Sequence, residues 1–476
     1  MADPHAEKHP NESAETAVER NHGGTKRRHP KNKTLPLFNH NGHRVTTGIH
    51  PDGESGRRGI HPIEFLQICF RSSAPWSKYV NFLWPFVPAA IAIHFAAPDE
   101  HLWIFILNYI AMVPAANLIG FGGEELARKL PKVFGVLIET TLGSVVEIVL
   151  FMVLITREET VNFDPIQIIQ AAILGSILAN LLLCMGMCFF IGGLKREEQT
   201  FHKAISETGN GLILVAGMAL VMPSAFIASL RNSPDYSNQD FTDESLRISR
   251  ATAIILLLAY VVYVWYQMRS HHGLYDEVLE SDEHRDADRH HDLAKPKLTL
   301  TECIVALAIA LTCVSLIAVF LVQEIHYVVH ELHVKDAFVG LILVPVVEKA
   351  AEHLTAIDEA YDNQMNFALA HVLGACVQTA LLNTPLVVFV GWGLGKDMSL
   401  DFETFHAVII ILAILVVGNF LRDQKSDYLE GFLCVVVYII IAICSFYYPD
   451  PKKGEAESAT TGEAAAAEAA HRLMRF

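Results

Sequence analysis

The stretch VGLILVPVVEKAAEHLTAIDEAY, Val339 to Tyr361, is an apolar run with Glu348, Lys349, Glu352 and His353 near its middle. An ionised side chain facing lipid hydrocarbon costs about 2.5–3.5 kcal/mol on insertion scales, so these groups must face protein or water. A second run answers it: Phe134 to Ile155, carrying Glu139, Gly143, Ser144 and Glu147. Aligning Gly143-Ser144-Val145-Val146-Glu147 with Glu348-Lys349-Ala350-Ala351-Glu352 sets Glu147 opposite Glu352, one intramembrane glutamate in each half of the chain.

The surroundings suit that reading. The 476 residues are 52% hydrophobic and 18% charged, with the charge pushed into tails and loops, which is the profile of an all-α polytopic membrane protein. A net charge of -16 argues against nucleic-acid binding, which needs a basic surface, and suits cations. Of the eight cysteines only Cys69 lies outside an apolar span, and no framework links them, so reduced, packed thiols are expected.

Eleven apolar segments are long enough to cross a hydrocarbon core of about 30 Å. They run near 79 to 97, 102 to 123, 133 to 155, 167 to 194, 209 to 230, 248 to 268, 298 to 325, 336 to 361, 365 to 394, 402 to 421 and 431 to 449. Residues 1–78 are rich in His, Asn, Gly, Lys and Arg with no cleavable signal sequence, and are expected to form a disordered cytosolic tail; 451–476 form a second tail. Lys and Arg cluster before the first span and after the second, fourth and tenth, which predicts a cytosolic N-terminus.

The acidic, His-containing loop 269–297 divides the chain. Leaving aside the extra helix at 79–97, five spans precede it (98–268) and five follow it (298–450). An odd-numbered repeat inserts in opposite orientations, which marks an inverted-repeat transporter with its substrate site near the midplane. The next span of each half carries a second related motif, Gly175-Ser176-Ile177-Leu178-Ala179-Asn180 and Gly374-Ala375-Cys376-Val377-Gln378-Thr379, adding the amides of Asn180 and Gln378.

Two glutamates, carbonyls freed near small residues, and a few amides or hydroxyls can supply the six to eight oxygens at about 2.3–2.6 Å that Ca²⁺ requires. The same carboxylates take protons, and two of them in a dry site repel each other unless a cation or a proton intervenes. Ca²⁺ and H⁺ then exclude one another, which is the physical basis of antiport. In loop 269–297 the carboxylates Asp276, Glu277, Glu280, Asp282 and Glu283 are either a weak regulatory Ca²⁺ helix at the cytosolic entrance or a solvated linker.

Thr141 to Ile148, and Phe338 to Pro345 continuing to Ala350-Ala351-Glu352-His353, resemble the two signature helices of the cation/proton exchanger family, and of its fungal vacuolar calcium/proton exchangers in particular. Glu124-Glu125-Leu126-Ala127, Leu174 to Leu178, Glu198-Gln199-Thr200-Phe201 and Leu429-Glu430-Gly431 extend the likeness over about residues 80–450. The resemblance implies an eleven-span antiporter in the vacuolar membrane that exchanges cytosolic Ca²⁺, or another divalent cation, for lumenal protons, with no cofactor. It implies that Glu147 and Glu352 bind the metal ion and the proton, with Ser144, Asn180, Gln378 and His353 beside them. Membrane lipid is the expected surrounding, and homo-oligomerisation is left open.

The chain departs from the family where it matters most. The family's Gly-Asn before each glutamate is here Gly143-Ser144 and Glu348-Lys349, and Glu139 replaces an asparagine, so Glu139, Glu348 and Lys349 are expected to modulate the site. Ala179, Ala375 and Cys376 stand for serines, leaving the centre poorer in oxygens. Lys349 has donors and no acceptor, and is expected to pair chiefly with Glu352 or Glu348 and to weaken Ca²⁺ binding. Two alternatives follow: an exchanger of the same fold that moves a monovalent cation, and a non-transporting regulatory protein on the same scaffold. With no nucleophile–base pair or catalytic metal cluster, an enzyme is not expected.

Overall fold

The computed structural model describes residues 38–448 except 40, 47, 73–76, 160–162, 231–237, 287–288 and 332–333. Lys26 to Lys33, Arg231, Asp288 and the tail 451–476 lie outside the described residues. The elements are helices almost throughout, because a backbone that crosses hydrocarbon must satisfy its own N–H and C=O groups. An amphipathic α1, Pro62–Arg71, precedes them. The long helices are α2 (Lys78–Ala96), α3 (His101–Ala127), α4 (Lys132–Ile155), α5 (Pro165–Lys195), α6 (Lys203–Leu230) and α7 (Thr242–Ser270). After the short α8 (His272–Glu283) come α9 (Leu300–Glu331), α10 (336–361), α11 (Met365–Leu394), α12 (Thr404–Asp423) and α13 (Tyr428–Tyr447).

Among the described residues, ten helices are long and apolar enough to cross a membrane, one fewer than the sequence predicts. The difference is α10, whose Glu348, Lys349 and Glu352 keep it out of that set although it is continuous from 336 to 361. Its C-terminal end is fixed by Arg196, which donates to the carbonyl of Tyr361 (2.9 Å).

The contacts between helices come in matched pairs, as two repeats inserted in opposite senses produce. The first helices of the halves, α3 and α9, run along each other; α5 packs on the start of α10 as α11 packs on α4; and α13 packs on the second half of α5 as α7 does on that of α11. Small residues set the closest crossings. A Cβ on Gly175 would lie 2.2 Å from the Leu341 carbonyl, and one on Gly340 would lie 2.6 Å from that of Ile168.

Connections gather at two opposite ends. At one end Gln199–Thr200 pairs antiparallel with Lys425–Ser426, joining the loops after α5 and α12. The buried Lys129 after α3 donates to the carbonyls of Gly53 (2.6 Å) and Leu298 (2.7 Å) there. At the other end Lys396 reaches the Arg157 carbonyl (3.3 Å), and His101 meets Glu324 (2.8 Å).

Two expectations need correcting. The part of 38–72 that the sequence assigns to a disordered tail is folded: Glu54 accepts from Thr46 N (2.8 Å) and Gly56 N (3.0 Å), and His50 N donates to the Lys129 carbonyl (2.9 Å). The polar composition of this segment hides it because its order comes from polar contacts to distant elements, such as Lys129 Nζ to the Gly53 carbonyl and His61 N to Glu302. Nor is loop 269–297 a solvated linker: α8 buries Tyr275, Val278, Leu279 and Asp282 against α11, α4 and α6.

Candidate cation site

α4, α5, α10 and α11 meet at the centre, and three of them are locally widened. π-helical turns occupy 179–184 in α5, 339–343 in α10 and 379–383 in α11, and such turns release carbonyls from the regular ladder. Side chains take them up: the Tyr109 hydroxyl donates to the Leu343 carbonyl (2.9 Å) and Thr384 to that of Thr379 (2.7 Å).

Glu147 and Glu352 come together, and an ammonium lies between them. Lys349 Nζ is 3.3 Å from Glu147 Oε2 and 3.5 Å from Glu352 Oε2, with Glu147 and Lys349 essentially sealed from solvent. Of the two partners expected for Lys349, Glu352 is used and Glu348 is not: the other contact, to Glu147, crosses from one repeat to the other, and both carboxylate oxygens of the buried Glu348 lack a hydrogen-bond partner among the described residues. Glu147 Oε2 also accepts from Thr379 Oγ1 (2.9 Å) and Asn383 Nδ2 (3.0 Å). Glu352 needs the absence of a side chain at Gly143, where a Cβ would sit 2.1 Å from Glu352 Oε1.

The neighbouring polar residues form the next layer. Ser144 donates to Gln378 Oε1 (3.0 Å), and Gln378 Nε2 donates to Thr140 Oγ1 (2.7 Å). His353 Nε2 and Asn180 Oδ1 are 3.1 Å apart. Glu352, His353, Asn180 and Gly143 line an inner cavity of about 40 Å³, and a vestibule of about 180 Å³ lies outside it, walled partly by Asp52, Glu124, Glu283 and Glu359. Glu139 lies apart from the central pair, lining both cavities.

Of the acidic residues on α8, Asp282 is committed to structure. It accepts from Asn366 N (2.8 Å), Asn366 Nδ2 (3.0 Å) and Phe367 N (3.2 Å), capping the start of α11 from another element. Burial pushes its carboxyl above the usual carboxylate range, against the pull of those donors. Asp276 pairs with His272 (2.9 Å), Glu283 reaches the vestibule, and Glu277 and Glu280 share the same helix.

The sequence reading misses four residues. Thr379 and Asn383 bind Glu147, and His371 on α11 lies 2.9 Å from Glu359 and 3.4 Å from Glu139. His371 and Glu359 carried the same signal as the others, an ionisable group inside an otherwise apolar span.

The sodium/calcium exchanger protein family model matches residues 100–269 and 303–447, the two halves on either side of the acidic helix. The chain belongs to this exchanger family. Among its relatives, the vacuolar calcium ion transporter of Schizosaccharomyces pombe is 33% identical over 374 residues, 78% of this chain and 86% of that protein. Vacuolar cation/proton exchanger 2 of Arabidopsis thaliana is 30% identical, covering 78% of this exchanger and 82% of the relative. The structure of native YfkE superposes with a TM-score of 0.62 at 25% identity, over 77% of this chain and 98% of that one. The resemblance read from the signature helices is thereby borne out, and so is the membrane-exchanger fold.

Proposed function

We propose that this exchanger is a secondary antiporter that moves cytosolic Ca²⁺ across the vacuolar membrane in exchange for lumenal protons, with its N-terminus in the cytosol. The observation that carries the reading is the convergence of Glu147 and Glu352, one from each repeat, on a single buried cation. The names of the relatives, vacuolar calcium transporters and cation/proton exchangers, supply the substrate class and the membrane. Alternating access would rock one repeat-derived bundle against the other around this point.

In this chain the bound cation is tethered. Ca²⁺ on Glu147 and Glu352 would lie beside the Lys349 ammonium, and like charges at such a distance in a dry site repel strongly. Ca²⁺ entry therefore requires Lys349 to withdraw or to lose its proton, and proton return restores the ammonium between the carboxylates. Ser144, Asn180 and Gln378 hold the surrounding helices and offer further oxygens, and His353 holds Asn180. Glu348 lies buried behind the pair.

The occupied site also favours a second reading, in which Lys349 pre-empts one charge and the partner ion is monovalent. Uptake of ⁴⁵Ca²⁺, ²²Na⁺ and ⁸⁶Rb⁺ into acid-loaded proteoliposomes separates the two. Accumulation of ⁴⁵Ca²⁺ alone is expected; ²²Na⁺ or ⁸⁶Rb⁺ uptake without ⁴⁵Ca²⁺ would establish the monovalent reading, and none of the three would leave a non-transporting scaffold.

A further inference from the structure

We propose that Glu359, His371 and Glu139 form a proton relay between the vestibule and the cation site, a role that rests on the antiport reading above. The three residues come from three helices, α10, α11 and α4, and each side chain is mostly buried, 13–16% exposed. The imidazole faces two carboxylates with its two different nitrogens: Nδ1 is hydrogen-bonded to Glu359 at 2.9 Å, and the buried Nε2, which makes no hydrogen bond among the described residues, lies 3.4 Å from Glu139. That arrangement does not suit a metal, because one ion cannot share a single ring nitrogen with carboxylates lying on opposite sides of the ring. It does suit a proton, which enters at one nitrogen and leaves at the other.

The placement gives the relay a direction. Glu359 lines only the vestibule and Glu352 only the inner cavity, whereas His371 and Glu139 line both. The inner cavity, about 40 Å³, has room for about two or three waters, enough to connect Glu139 with Glu352. One transfer is balanced as follows. The O–H of Glu359 breaks as a bond forms at Nδ1, and the Nε2–H bond breaks as an O–H forms on Glu139, which leaves the ring as its Nδ1–H tautomer. No net charge is left on the imidazole.

The charged groups near His371 are Glu139 from α4, Glu359 and Glu352 from α10, and Glu124 from α3 behind Glu359; Arg128, Glu283, Asp286 and Arg289 line the same vestibule, and Asp282 from α8 is spent on the start of α11. A purely structural ion pair would tie the helices together equally well, but its loss would impair every mode of transport alike.

The test uses the full chain in proteoliposomes, comparing ⁴⁵Ca²⁺ uptake driven by internal acid with ⁴⁵Ca²⁺ uptake against internal Ca²⁺ without a pH gradient. For His371→Gln we expect Ca²⁺/H⁺ exchange to fall by at least about tenfold, with a flattened rate profile between about pH 5.5 and 8, while Ca²⁺/Ca²⁺ exchange is retained. Glu359→Gln is expected to give the same split and serves if the histidine variant does not fold. Unchanged Ca²⁺/H⁺ rates and pH profile, or an equal loss in both modes, would overturn the relay while leaving antiport intact. If the parent protein shows neither mode, the antiport reading falls and the relay with it.

Discussion

At the residue scale the molecule turns on Lys349. Its ammonium contacts Glu147 across the repeat interface and Glu352 on its own helix, so removing it leaves a sealed carboxylate and a quarter-exposed one facing each other. Breaking a buried pair from one side costs about 3–5 kcal/mol in soluble proteins, so Lys349→Ala is expected to lower thermal stability in chelator. Added Ca²⁺ should restore it, because the metal takes the ammonium's place; a variant that stays destabilised in millimolar Ca²⁺ would show that the carboxylates cannot accept the ion. Glu348→Gly with Lys349→Asn removes the carboxyl and the ammonium, supplies an amide oxygen and should bind Ca²⁺ more tightly than the parent, as equilibrium ⁴⁵Ca²⁺ binding would report. The glutamate pair was legible because intramembrane charge is expensive and both glutamates stood at repeat-related positions. Glu352 as a partner of Lys349 was legible too, but Glu147 was not, since helical spacing points to Glu352 and Glu348 on its own helix and says nothing of a partner on α4.

At the element scale, glycines decide how closely the helices meet. Gly175→Ala puts a methyl group against the Leu341 backbone, which cannot yield, so overpacking of about 1–3 kcal/mol and reduced folded yield are expected. Gly143→Ala meets only the Glu352 carboxylate, so that variant should fold and lose Ca²⁺ binding; normal binding would contradict the tight seat assigned to Glu352. On α8, Asp282→Ala removes the cap on α11 at a cost of about 1 kcal/mol, whereas Glu277→Gln with Glu280→Gln leaves the cap and isolates any regulatory role of the acidic face. An acid-sensitive contact holds the segment before α1. Burial opposes the charge on Glu54, but hydrogen bonds from Thr46 and Gly56 and the nearby Lys129 outweigh it and hold its carboxyl below the usual range. A depressed value adds stability above the ordinary carboxylate range and loses it as pH falls through the folded value, so amide protection at residues 46 and 48–56 should drop on acidification below the ordinary glutamate value of 4.5. Glu54→Gln should abolish that pH step. The spans were readable from hydropathy to within a few residues at most ends; the fold of 38–72 was not, because its order comes from polar contacts with distant residues such as Lys129.

On the scale of the whole molecule, two halves related by inverted contacts enclose one cation between two glutamates, and a vestibule leads towards it. The sequence carried this architecture in its parity and its paired motifs, while the relay through His371 and the π-helical turns depends on helix rotations that spacing alone does not specify. The central claim is that Ca²⁺ and protons compete for Glu147 and Glu352. It is tested most directly by adding Ca²⁺ to the purified, weakly buffered protein and recording proton release beside ⁴⁵Ca²⁺ binding. The account requires protons to leave as Ca²⁺ binds, apparent affinity to fall with acidification, and both signals to vanish in Glu147→Gln and in Glu352→Gln. Ca²⁺ binding that releases no protons and is indifferent to pH, or that survives either substitution, would contradict it.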